Sequence, residues 1–132
     1  NGKIHTIDID NDKNKIAKSF FKKANVLKKI KTEISNGKDA LDRLIKNKKK
    51  YDLILIDADK ENYISYFDKS IKLLNSNGLL IVDNILWKGE VTNNNAKDKL
   101  TVKMKKFNSY VKKTKINKYI LPIGDGFYIC WK

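Results

Sequence analysis

The chain has one cysteine, one histidine, six glycines and a single arginine among 132 residues, and each scarcity excludes something. The lone Cys130 rules out a disulfide framework and fits a reducing cytoplasm. No apolar run approaches the length of a membrane span, and no secretory signal pattern opens the sequence. Internal repeats and low-complexity linkers are missing as well. His5, the only histidine, lies inside a strand pattern and reads as a packed strand residue, not a base. The first residue is Asn1 and not Met, so the chain is expected to be processed or to lack its true beginning. Its length suits one domain, residues 1–132.

Positive charge is plentiful. The formal net charge is +14, and a basic surface attracts phosphate. Arg43 is the only arginine, however, so the excess is almost all lysine, which lacks the bidentate fork that reads bases. Lysine and asparagine enriched together look more like the bias of an AT-rich genome, with solvated helix faces, than a dedicated RNA surface. The cluster Lys46, Lys48, Lys49 and Lys50 reads as a helix end and loop.

Two stretches organise the rest. Tyr51 to Lys60, YDLILIDADK, and Gly78 to Asn84, GLLIVDN, each hold four apolar residues in a row, as expected of a strand buried on both faces. Each ends in acid. Asp57 and Asp59 follow the first run, and Asp83 with Asn84 follows the second. In an open α/β sheet the carboxyl ends of the strands line the ligand crevice. Two readings of these acids stay open. They are helix caps and turn formers, or they share a cation, because close carboxylates repel unless a positive charge lies between them. Oxygen-only donors suit Mg²⁺ or Ca²⁺ and not zinc. Lys60 puts an amine at the same rim.

Around these runs, Lys3 to Ile9 reads as a strand ending in Asp8 and Asp10. Asn11 to Ala24 follows as a helix, with Ile16, Phe20, Ala17, Phe21 and Ala24 at helical spacing. Ile30 to Ile34 is a further strand, Asn36-Gly37 a turn, and Lys38 to Ile45 a helix. Tyr63 to Leu74 is amphipathic, with Tyr63, Tyr66, Phe67, Ile71 and Leu74 on one face, and Asn77-Gly78 ends it. Ile85 to Asn95 is a loop holding Trp87. Leu100, Met104, Phe107 and Val111 mark a last helix. Lys118 to Ile123 and Phe127 to Trp131 flank Gly-Asp-Gly as a hairpin.

Asp57-Ala58-Asp59-Lys60 with Asn62-Tyr63, then Asp83-Asn84 with Leu86-Trp87 and Gly89, then Leu121-Pro122 and Gly124-Asp125-Gly126, resemble the cation-dependent O-methyltransferases of the caffeoyl-CoA and catechol type. The match runs in order from Gly2 to Lys132. It implies an α/β fold with the Rossmann-like sheet of class I S-adenosylmethionine-dependent methyltransferases, parallel strands plus a C-terminal antiparallel hairpin, here N-terminally incomplete. It also implies metal ligation by Asp57, Asp83 and Asn84, a base at Lys60, cofactor contacts at Asp8, Asp39 and Asp59, and an acceptor contact at Trp87. The reaction implied is methyl transfer from S-adenosylmethionine to a hydroxyl of a small aromatic diol. A tRNA hydroxyuridine O-methyltransferase of the same fold, and a noncatalytic fragment or subunit that needs a partner, are the alternatives.

One family feature is not found in these residues. Members carry a strand and a Glu-x-Gly-x-x-x-Gly loop that hold the methionine part of the cofactor, preceded by helices that supply dimer contacts and part of the acceptor pocket. The chain is therefore expected to correspond to the C-terminal two thirds of a member. By itself it is expected to bind S-adenosylmethionine weakly or not at all.

Overall fold

Short β-branched runs punctuated by acids and Asn-Gly turns produce strands that alternate with helices, and a computed structural model describes residues 2–132. The order is β1 (Ile4–Asp8), α1 (Asn11–Lys23), β2 (Ile30–Ile34), α2 (Gly37–Lys46), β3 (Tyr51–Ile56), α3 (Tyr63–Leu73), β4 (Leu74–Val82), α4 (Lys99–Lys113), β5 (Asn117–Leu121) and β6 (Phe127–Trp131). Short 3-10 turns precede β2 and α3, and another spans Trp87–Thr92. The chain divides into two units, one ending at Arg43 and one running from Leu44 to Lys132, with the boundary inside α2. Among the described residues, no helix is long and apolar enough to cross a membrane.

In the first unit β1 and β2 form a parallel pair, with Ile4 opposite Ile30 and Asp8 opposite Ile34. Asp10 caps α1, its carboxylate accepting from Asp12 N and Lys13 N. Such a cap satisfies two of the backbone donors that a helix start leaves unpaired. Asn36 Oδ1 satisfies one such donor at the start of α2, Lys38 N, at 2.9 Å. The apolar stripe expected on α1 is not buried within its own unit's packing: Ile16 and Phe20 are exposed, and Asn14 is the buried residue. Ala17 and Phe21, also at helical spacing, are half-buried, so only part of the stripe is covered.

The second unit holds a four-stranded sheet in the order β3-β4-β6-β5. β3 and β4 run parallel, while β6 pairs antiparallel with both β4 and β5. The parallel strands and terminal hairpin expected from the sequence are therefore present. Register and alternation place Ile54, Ile56, Leu80, Val82, Tyr128 and Cys130 on one face. Five of these six are buried, and Phe107 of α4 meets Tyr128 edge-on there, with ring centroids 6.1 Å apart. Phe107 also meets Tyr63 and Phe67 of α3 edge-on, at 5.3 Å and 5.9 Å, the geometry that ring quadrupoles favour.

The opposite face departs from expectation. Leu53 and Leu55 are more than half exposed, so β3 is not buried on both sides. A run of four apolar residues sets a strand, but which face is covered depends on layers that the run itself does not encode. Two smaller corrections follow from packing. α3 stops at Leu73 and β4 begins at Leu74, because Leu74 pairs with Tyr51 across a register shift in β3, so the chain is already extended before Asn77-Gly78. On α4, Thr101 is buried and Leu100 is exposed.

Candidate active site

β3 and β4 are parallel neighbours, so their carboxyl ends lie side by side and bring the segments after Ile56 and Val82 together. Asp83 N donates to Ile56 O at 3.0 Å, tying the two exits to each other. From this base Lys60 reaches across. Its Nζ donates to Asn84 Oδ1 at 2.7 Å and to Tyr63 Oη at 2.5 Å, and lies 3.4 Å from Asp57 Oδ1. The Lys60 side chain is only 11% exposed, whereas that of Asp57 is 61% exposed. The ammonium also stands 4.6 Å from the centre of the Tyr63 ring, a cation–π distance.

Tyr63 shapes this arrangement. Burial first, and then the nearby charge of Asp57, push its hydroxyl well above the ordinary tyrosine value, so it stays protonated. It thus accepts from Lys60 and donates to the Asp83 carbonyl at 3.3 Å. Asn84 has a left-handed backbone, φ 59°, which asparagine tolerates better than most residues. Asp83 Oδ1 accepts from Asn84 N at 2.5 Å and fixes that turn.

Asp59 is held separately. One carboxylate oxygen accepts from Tyr66 Oη at 2.5 Å and the other from Asn62 Nδ2 at 2.5 Å. Burial, and next the Asp59 hydrogen bond, raise the Tyr66 pKa, which keeps it a donor. The β5–β6 turn braces the segment after β4. Ile85 N and Leu86 N donate to the carbonyls of Gly126 and Asp125, and Lys88 N donates to Asp125 Oδ1. Gly126 has φ +75°, and a Cβ there would meet Leu86 Cγ at 2.4 Å, so a side chain would break the brace. Trp87 sits in the braced segment, half-buried, with φ 49°.

Asp57, Lys60, Asp83 and Asn84 are thus gathered in one place, with Asp59 and Trp87 on flanking segments. Asp8 and Asp39 belong to the unit that ends at Arg43. Asp8 Oδ1 accepts from Asp10 N at 2.8 Å, so the helix cap falls to Asp10. Asp39 is exposed in the first turn of α2. Tyr63, Tyr66, Asn62 and Asp125 were not singled out for the site. Tyr63 three residues after Lys60, at a helix start, was the available signal.

No three His, Cys, Asp or Glu side chains converge among the described residues as a ready metal cluster. The candidate donors are two carboxylates and one amide carbonyl. They fit a hard divalent cation chemically, being all oxygen with no thiolate or imidazole among them.

A family model described as O-methyltransferase matches residues 1–132. The chain belongs to the O-methyltransferase family. It is 32% identical over 142 residues to a caffeoyl-CoA O-methyltransferase of Stellaria longipes, covering 98% of this chain and 57% of that protein. It is 28% identical to catechol O-methyltransferase domain-containing protein 1 of Mus musculus, covering 99% of this chain and 51% of that one. An O-methyltransferase structure from Bacillus cereus, in complex with SAH, superposes with a TM-score of 0.86 at 26% identity, covering 99% of this chain and 63% of that one. The chain therefore spans less than two thirds of the length of these relatives.

Proposed function

We propose that the protein transfers a methyl group from S-adenosylmethionine to a hydroxyl of a vicinal diol on an aromatic ring, a catechol-like or caffeoyl-CoA-like acceptor, with the help of a divalent cation. The observation that supports this most is the reach of Lys60 Nζ to both Asn84 Oδ1 and Asp57 Oδ1. It sets an amine among the donors that suit a hard ion. The Bacillus cereus relative, solved with SAH, supports the choice of methyl donor.

Asp57, Asp83 and Asn84 would hold the cation, Mg²⁺ or Ca²⁺, whose charge, when bound, lowers the pKa of a coordinated hydroxyl. Lys60 Nζ in its neutral form takes the hydroxyl proton. Asp59, oriented by Tyr66 and Asn62, is proposed to contact the cofactor, and Asp8 and Asp39 are proposed as its ribose and adenine contacts. Trp87 is proposed to stack on the acceptor ring. Positioning supplies most of the rate gain, since attack on the sulfonium methyl needs in-line geometry more than added reactivity.

The test is methyl transfer from labelled S-adenosylmethionine to catechol, to caffeoyl-CoA and to total tRNA, each with and without EDTA. Transfer to a diol that EDTA abolishes is expected. Transfer to tRNA alone, which the net charge of +14 would favour, or activity indifferent to EDTA, would replace this reading.

A further inference from the structure

Asn84 Oδ1 is claimed twice. It is one of the three donors proposed for the cation, and it accepts a 2.7 Å hydrogen bond from Lys60 Nζ. A divalent ion bound to that oxygen would stand about 4 Å from an ammonium on the same oxygen, given usual metal–oxygen distances of roughly 2.1–2.5 Å. Two cations so close repel strongly, above all where one is largely removed from water. The Lys60 side chain is 11% exposed, so solvent screens little. The amine has another place to rest. Tyr63 Oη, which is not one of the proposed cation donors, already accepts from it, and the Tyr63 ring face is 4.6 Å away.

We infer that Lys60 Nζ and the divalent cation are mutually exclusive partners of Asn84 Oδ1, so that cation binding detaches the amine from the amide. The inference rests on the proposed cation site. It adds that Lys60 is the site's internal competitor, and that loading the cation is the event that frees the amine. Asn84 is suited to such an exchange because its backbone turn is fixed by Asp83, so its carbonyl presents one oxygen to either cation.

Two measurements on the 132-residue chain decide it, and neither reads activity. The first is Mn²⁺ affinity, counted from the electron paramagnetic resonance signal of the free ion, for wild type, Lys60→Met, Lys60→Arg and Asp83→Ala. Losing a charge-assisted competitor is expected to tighten Mn²⁺ binding about tenfold in Lys60→Met. Lys60→Arg keeps the charge and is expected to show no tightening. Circular dichroism confirms that each variant is folded. The second is mass-spectrometric labelling of the Lys60 amine in wild type, expected to rise when Mg²⁺ is added. Binding by Lys60→Met alone would be the strongest support. If Asp83→Ala weakens binding while Lys60→Met binds no tighter than wild type, the competition is refuted and the cation site stands. Tighter binding with no change in Lys60 labelling refutes it too, because removal of a charge at a distance would explain the gain. No Mn²⁺ binding by wild type or Lys60→Met overturns both the competition and the site.

Discussion

The two units of this chain are held together by different physics. From Leu44 onward the unit is apolar: Tyr63, Phe67, Phe107, Leu73, Leu74, Leu80, Ile85, Met104, Val82 and Val111 are all fully buried. Among the described residues of the unit ending at Arg43, Ala40 is the one fully covered hydrophobic residue, while Ile4, Ile9, Ile16, Phe20, Leu27 and Ile34 are exposed. Its notable internal links are polar and centre on Glu33. His5 Nε2 donates to Glu33 Oε2 at 3.0 Å, and Arg43 donates to Glu33 Oε1 at 2.5 Å and to Ser35 Oγ at 2.8 Å. A two-stranded sheet is marginal in water unless something packs on it. The candidate chemistry of cation and base stands where the apolar core can hold side chains in place, which is what a preorganised site requires. Four experiments probe that contrast.

The largest effect is expected at the proposed ligands. In the complete protein, Asp57→Ala or Asp83→Ala should reduce methyl transfer to background, because each loss leaves the other acid unpaired and the acceptor unpolarised. Trp87→Ala should retain measurable turnover. Equal losses for all three in a steady-state assay would mean that the acids serve the fold and not the reaction. Lys60→Ala comes next, with a fall on the order of 10²–10⁴-fold in kcat, the usual contribution of a general base. Cofactor affinity, followed by calorimetry, should hardly change. A defect confined to cofactor binding would remove Lys60 from the acceptor side.

The third experiment weighs the two units directly by stability. Phe107 touches Tyr63, Phe67 and Tyr128, so Phe107→Ala should cost about 3–5 kcal/mol in denaturant unfolding. Phe20 is 60% exposed, and Phe20→Ala should stay within about 0.5 kcal/mol of wild type. A comparable loss at Phe20 would show that the α1 stripe is covered in solution.

These same residues show how far sequence reasoning reaches. The ends of β2 and the start of α1 were legible because β-branched runs and Asp or Asn caps are local signals. The meeting of Asp57, Lys60 and Asn84 was legible because strand ends in an α/β sheet converge, and the resemblance agreed. What escaped was which face of β3 and of α1 is covered, whereas the buried faces of α3 and α4 followed the spacing. Leu53 and Ile54 are adjacent in one apolar run, yet only Leu53 is exposed, because α3 packs on β3 and β4 and Phe107 of α4 on Tyr128 of β6, covering one face of the sheet. Ile16 and Phe20 keep perfect helical spacing without being buried. Tyr63 and Tyr66 were placed on the apolar face of their helix, and they are buried. Their hydroxyls nevertheless end in the site, on Lys60 and Asp59. Hydrophobic spacing reports the ring and is silent about the oxygen at its tip.

The smallest effect, and the sharpest test of the polar unit, is its response to acid. Burial first, and then the Lys31 charge, hold the His5 pKa below its ordinary 6.5, although the Glu33 carboxylate opposes them. The unfolded chain therefore takes up a proton before the folded one does, and stability rises with pH across that window. The contribution is complete above pH 6.5 and is lost as pH falls from 6.5 toward the lowered folded value. Glu33 adds a second, lower step. The Arg43 hydrogen bond holds it below its ordinary 4.5, so its contribution is present above pH 4.5 and is lost as pH falls through the folded value. His5 is the only histidine in the chain, so no other side chain with an ordinary pKa titrates between about pH 5.5 and 7. Urea unfolding of wild type should weaken modestly from pH 7 to 5.5 and further below 4.5. His5→Gln should lose the first step and keep the second. If the variant weakened between pH 7 and 5.5 as much as wild type does, the link from His5 burial to the stability of this unit would be wrong, and the Glu33 cluster would hold the strands with no part played by the imidazole.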